Sequence, residues 1–220
     1  MPRETRIQRR ERADRIRGVL RATYPDAHCE LVFRTPLELL VATILSAQCA
    51  DRQVNRVTPG LFRRFPNAEA YATAPVEDIA AEIRTLGLFR NKARNLREAC
   101  RALVRHHDGE VPTTLEALTA LAGVGRKTAN VVLGNAFGIA SGIVVDTHVA
   151  RLAGRLRLAT GKRPEHIEQE LIPLVPREEW TDFSHQLIWH GRRRCFARRP
   201  DCGACELRAL CPSMGRMSGS

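Results

Sequence analysis

Four of the chain's seven cysteines, Cys195, Cys202, Cys205 and Cys211, follow one another as C-x6-C-x2-C-x5-C. In a reducing compartment, thiols clustered at such spacing hold metal rather than one another. Zinc accepts four thiolates but usually draws them from two close pairs. One close pair with two outliers suits the corners of a [4Fe–4S] cubane better, with zinc, or no metal, as the competing readings. The loop between the first two thiols carries Arg198 and Arg199, a device for gripping phosphate or simply a solvated basic loop. Cys29, Cys49 and Cys100 are scattered through expected helical context and read as small buried apolar residues.

A second constellation is Leu121-Ala122-Gly123-Val124-Gly125-Arg126-Lys127-Thr128-Ala129-Asn130. A short helix runs into Gly-Val-Gly and another helix follows. The glycines permit unusual backbone angles and close approach of a partner. The first amides of the next helix point outward, ready for a phosphate. This reads as a helix-hairpin-helix, a motif that grips DNA backbone without reading sequence; the frame does not fit a Walker loop. Lys127 sits in the first turn, where the helix dipole and Arg126 both disfavour an ammonium. A neutral amine there is what a Schiff-base nucleophile needs; the other reading is a phosphate-contacting lysine. Of 35 basic residues only Lys92, Lys127 and Lys162 are lysines, and arginine cannot supply a neutral amine. Nineteen residues on, Val144-Val145 leads to Asp146, either a helix N-cap or a carboxylate that stabilises positive charge developing on a sugar.

The elements that must position these groups are helical, and convincing alternating strands are absent. Helices are expected over about 4–22, 35–47, 51–65, 67–74, 76–85, 91–106, 115–120, 126–137, 147–156, 164–175 and 178–193. The 35–47 segment is apolar on all sides and should be central in the core. Residues 218–220 read as a disordered end.

Composition excludes several classes. With 44% apolar and 27% charged residues the chain is neither disordered nor low-complexity. No stretch of 18 apolar residues exists, and the basic N-terminus lacks an apolar signal region, so the protein is expected to be intracellular. The net charge is +11, of which residues 1–22 and residues 192–220 hold +5 each. Two basic ends that meet in space make one face for nucleic acid.

Together the hairpin, lysine, aspartate and cysteine spacing resemble the endonuclease III family of DNA repair glycosylases, from about Thr35 to Cys211. The most specific parts are GVGRKTANVVL, VDTHV and the cysteine pattern; LLVATILSAQCADRQVN and TLGLFRNKA add to it. The resemblance implies an all-α protein with two lobes and a cleft between them. Residues 29–139 would be a six-helix barrel lobe; residues 1–28 would join 140–220 in the lobe that binds the [4Fe–4S] cluster. It implies a bifunctional DNA glycosylase and abasic-site lyase acting on oxidised pyrimidines. Lys127 would attack C1′ of a flipped nucleotide and Asp146 would assist base loss and proton transfer. Gln48 would fill the vacated gap and Leu88 would wedge near the opposing base. Lys92, Gly123, Val124, Gly125, Arg126, Thr128, Arg198 and Arg199 would contact DNA. The expected partner is double-stranded DNA holding oxidised bases or abasic sites, met by a monomer in the cytoplasm near the nucleoid, with no membrane involved. His148 either orients Asp146 or packs. Two departures stand out: Ala122 replaces the family's usual hairpin proline, and the Lys127-to-Asp146 interval is one residue longer than in the best-known bacterial members. Competing readings are a monofunctional adenine-mismatch glycosylase and a non-catalytic DNA-structure or redox module; Lys127 argues against the first, and Lys127 with Asp146 against the second.

Overall fold

The computed structural model describes residues 4–214, and every regular element among them is helical. The expected loose end at 218–220 lies outside the described residues. The chain divides into two compact units: one spans Cys29–Ser141, and the other joins the residues up to His28 with those from Gly142 onward. Among the described residues no helix is long and apolar enough to cross a membrane.

The first helix, α1 (Arg6–Thr23), belongs to the discontinuous unit. It starts later than residue 4 because Thr5 is the cap. The Thr5 hydroxyl accepts from the Gln8 amide at 3.2 Å and the Gln8 side chain accepts from the Thr5 amide at 3.0 Å, a reciprocal capping box. Ala13, Ile16 and Leu20 form its buried stripe.

The continuous unit is built around α2 (Pro36–Leu45), where Leu39 through Leu45 are all buried. Thr35 caps it and Pro36 takes the first position, where a missing amide costs nothing. α2 packs on α3 (Asp51–Arg64), α6 (Phe89–His106) and α8 (Arg126–Phe137); α4 (Ala68–Thr73) and α5 (Val76–Glu82) cover α6, and α7 (Leu115–Thr119) leads into α8. α6 buries Ala93, Leu96, Ala99, Cys100 and Leu103, the three-and-four spacing of an amphipathic helix. It begins at Phe89 rather than 91, because Leu88 itself serves as the cap in a left-handed conformation.

In the discontinuous unit, α9 (Thr147–Arg155), α10 (Pro164–Leu171) and α11 (Trp180–Arg193) join α1. Pro173 ends α10 early: it lacks an amide, so the chain continues as a short 3-10 turn over Ile172–Leu174. The shared core includes Ile16, Leu20, Val149, Leu152, Phe183 and Leu187, all essentially without solvent contact.

Candidate functional site

The glycine hairpin closes through the Val124 amide, which donates to the Leu121 carbonyl at 3.1 Å. Gly123 has φ +77°, and a Cβ there would lie 2.9 Å from the Asn95 side-chain nitrogen on α6. Conformation and packing therefore both demand glycine. Gly125 differs from expectation: its φ of −93° is open to any residue, yet no atom lies within 4 Å of a Cβ built there, which leaves room for a partner's backbone. As N-cap of α8 it offers no side chain, so the first amides of the helix receive no side-chain cap. Arg126 and Lys127 are exposed on this first turn, Thr128 is half-buried and Val124 is buried.

Asp146 caps α9, its Oδ1 accepting from the Val149 amide at 2.8 Å. The approach is rigid. Ile143, Val144 and Val145 are buried, and the Ser184 hydroxyl of α11 accepts from the Val144 amide at 3.0 Å. His148 packs rather than reaching out: its Nδ1 lies 3.0 Å from Arg151 Nη2, and a Cβ on Gly191 would meet the His148 Cβ at 2.9 Å. Burial pushes the His148 imidazole below its usual range, against the pull of Asp146 and with help from Arg151 and Arg192.

Gln48 and Leu88 are both exposed and both left-handed, at φ 56° and 57°. Of five such non-glycine residues among those described, Arg199 is a third, so strain falls on three residues singled out for DNA. The Gln48 turn and the Leu88 loop are neighbours: a Cβ on Gly87 would lie 3.9 Å from Cys49 Sγ. Here Lys92 corrects the sequence reading. It is 4% exposed, and its ammonium donates to Cys49 Sγ at 3.0 Å, bracing the two loops instead of meeting a phosphate. Cys29 and Cys49 also differ from expectation, being half-buried and outside helices; only Cys100 of the three is a buried core thiol.

Cys195, Cys202, Cys205 and Cys211 are unpaired by disulfides and line one shared pocket with Arg194 and Arg208. Burial pushes the Cys205 thiol up to about 11 and the Cys211 thiol in the same direction, and the neighbouring cysteines add to both. Four cysteine sulfurs gathered at one site are donors suited to a cationic guest. Among the described residues, His190, Cys205 and Glu206 place their ligand atoms within 4.8 Å of one another, so Cys205 also has a histidine and a carboxylate close by. Arg155 clamps the loop between them, donating to the carbonyls of Phe196 at 2.7 Å and Ala197 at 2.9 Å and to Cys195 Sγ at 3.2 Å. Arg198 and Arg199 are exposed on that loop.

His190, which the sequence reading passed over, joins this centre from α11. It is 1% exposed, its Nε2 lies 3.4 Å from Cys205 Sγ, and its Nδ1 lies 3.1 Å from the Tyr24 hydroxyl. Burial pushes His190 below the usual imidazole range and Tyr24 up to about 12.

Residues 41–177 match the HhH-GPD superfamily of base excision DNA repair proteins. An endonuclease III of Synechocystis sp. is 52% identical over 205 residues, covering 93% of this chain and 94% of that one. The chain belongs to the endonuclease III family. The Escherichia coli endonuclease III is 46% identical over 192 residues, 87% of this chain and 90% of its own. A solved endonuclease III, trapped as a covalent intermediate with DNA, has a TM-score of 0.87 at 43% identity, covering 93% of this chain and 97% of that one. Membership makes this endonuclease III relative a base excision repair enzyme, a bifunctional DNA glycosylase with abasic-site lyase activity.

Proposed function

We propose that the enzyme removes oxidised pyrimidines from duplex DNA, with Lys127 as the amine that attacks C1′ of the damaged nucleotide. The placement of Lys127 supports this most: it is exposed on the first turn of α8, directly behind the Gly123–Gly125 turn, at a helix start whose dipole suits a phosphate. Attack forms a C1′–N bond while the glycosidic bond breaks and the base leaves with its electron pair. The sugar ring opens to a Schiff base, a proton is lost from C2′, and the 3′ phosphate is expelled. Water then hydrolyses the imine and returns the amine. Asp146 stabilises the positive charge that develops on the sugar and carries protons between amine, base and ring.

A base inside a duplex must be extruded first. Exposed, strained Gln48 and Leu88 suit this work, Gln48 in the vacated gap and Leu88 as an apolar wedge by the opposing base. Backbone at Gly123, Val124 and Gly125, with Arg126, Thr128, Arg198 and Arg199, takes the phosphates. Cys195, Cys202, Cys205 and Cys211 hold a [4Fe–4S] cluster, which supplies a rigid staple for the Arg198–Arg199 loop. The unit over Cys29–Ser141 is the barrel lobe and the other unit the cluster lobe. The enzyme works as a monomer on chromosomal DNA in the cytoplasm.

Borohydride trapping on a thymine-glycol duplex and on an abasic duplex tests the reading. Adducts are expected on both, and Lys127→Ala should abolish both while leaving DNA binding in place. An adduct on the abasic duplex alone would remove oxidised pyrimidines from the assignment. Trapping that survives Lys127→Ala would remove the lysine.

A further inference from the structure

We propose that Tyr24 and His190 form a hydrogen-bond relay that sets the electron affinity of the iron–sulfur centre through Cys205. The relay rests on the reading of the four cysteines as cluster ligands. A cysteine bound to iron is a thiolate and has no proton to give. The 3.4 Å contact between His190 Nε2 and Cys205 Sγ is then a hydrogen bond only when Nε2 carries the proton. In the neutral ring Nδ1 is left with its lone pair, so the Tyr24 hydroxyl at 3.1 Å must be the donor.

Tyr24 has a competitor. A carboxylate oxygen of Glu206 lies 4.0 Å from the same Nδ1 and draws a proton to that nitrogen. With the proton there, the lone pair of Nε2 would face the thiolate and the sulfur would lose its donor. Tyr24 occupies Nδ1 as a donor and holds the ring in the tautomer that serves Cys205. Packing fixes the arrangement: Tyr24 is 6% exposed, its ring meets His190 edge-on at 5.8 Å and Trp189 at 6.4 Å. Arg155 also reaches a ligand sulfur, but it holds loop carbonyls as well, so its removal would loosen the loop. His190 reaches sulfur from the body of α11.

A donor to a ligand sulfur stabilises the more electron-rich of two cluster states and so raises the reduction potential. In the full-length protein, cluster content is measured by iron and sulfide analysis and the midpoint potential by voltammetry. Wild type should hold about four iron atoms per chain. His190→Phe should move the midpoint negative, and Tyr24→Phe should move it the same way by less. His190→Gln, which keeps an N–H for the sulfur, should recover most of the shift. Trp189→Phe disturbs the same packing without touching sulfur and should leave the potential alone. If His190→Phe fails to fold, Tyr24→Phe, which loses one hydroxyl, decides alone. A full cluster with an unmoved potential in the variants overturns the relay by itself. A wild-type chain without iron overturns the cluster assignment and the relay together.

Discussion

Asp146 caps α9 and, in the proposed reaction, also serves the chemistry, and substitution can separate the two roles. As N-cap it satisfies the Val149 amide, a role asparagine fills about as well and alanine does not. As a charged group beside a forming cation it cannot be replaced by an amide. Asp146→Asn is expected to keep thermal stability within a few tenths of a kcal/mol while lowering single-turnover base release by about 10²–10⁴-fold. Asp146→Ala should lose the same rate and about 1 kcal/mol of stability besides. Melting curves and single-turnover kinetics on the same preparations check this. An asparagine variant with full turnover would reduce Asp146 to a cap. The lysines show what residue type conceals. The place of Lys127 on an exposed first helical turn was legible because glycines and a helix start surround it in sequence. Lys92 was not, because its partner Cys49 is 43 residues away and nothing local marks a lysine for burial. The left-handed backbone at Leu88 was equally silent, since a leucine gives no sign of positive φ.

At the scale of elements, helix existence and order were readable from apolar periodicity, and departures lay at ends where a single residue decides. Thr5 and Gln8 form a capping box three residues apart, which the sequence contains but which the charge-rich start of α1 obscured. The packing of α9 against α11 was not readable, because the glycine that permits it sits inside an ordinary helical run. A Cβ on Gly191 would come within 2.9 Å of the His148 Cβ and 3.1 Å of an Arg151 nitrogen. Gly191→Ala gains about 1 kcal/mol of helix propensity and is nonetheless expected to lose about 1–3 kcal/mol net, because α9 must shift. Since α9 carries Asp146, turnover should fall with stability; denaturant midpoints and rates measured together check it, and a stabilised variant would contradict the close contact. His185, also on α11, makes the unit pH-sensitive. Burial pushes its imidazole down to about 4; Asp182 opposes this, while His28 and Arg192 add to it. Above about pH 6.5 both folded and unfolded chains keep this ring neutral, and its contribution is complete. As pH falls through 6.5 toward 4, the unfolded chain binds a proton that the folded chain refuses, and stability drops by roughly 3 kcal/mol. Urea midpoints between pH 7.5 and 4.5 should show that decline, and His185→Gln should flatten it. An unchanged slope would mean that the ring protonates in the folded state without cost.

For the whole molecule, charge is the feature that sequence arithmetic made plainest and that the structure organises. Residues 1–22 and 192–220 carry +5 each of a net +11, and both segments belong to the discontinuous unit, where α1 packs on α11 and on the turn over Arg208–Leu210. Charge arithmetic counted those charges but could not join them, and only the family resemblance put both ends in one lobe; the joining runs through a core of residues from both ends, such as Ile16, Leu20 and Leu210. A basic surface on a backbone-gripping enzyme binds by releasing counterions, so the logarithm of the association constant should fall linearly with the logarithm of salt concentration. Each phosphate neutralised contributes a slope of about −0.9. Arg198 and Arg199 stand exposed on the loop that Arg155 clamps, and replacing both by alanine should make the slope shallower by about two while weakening damaged and undamaged duplexes alike. Loss of affinity for damaged duplex alone would mean that these arginines read the lesion. An unaltered slope would mean that the loop never meets the phosphates, and the hairpin amides and Arg126 would then have to account for the electrostatic binding alone.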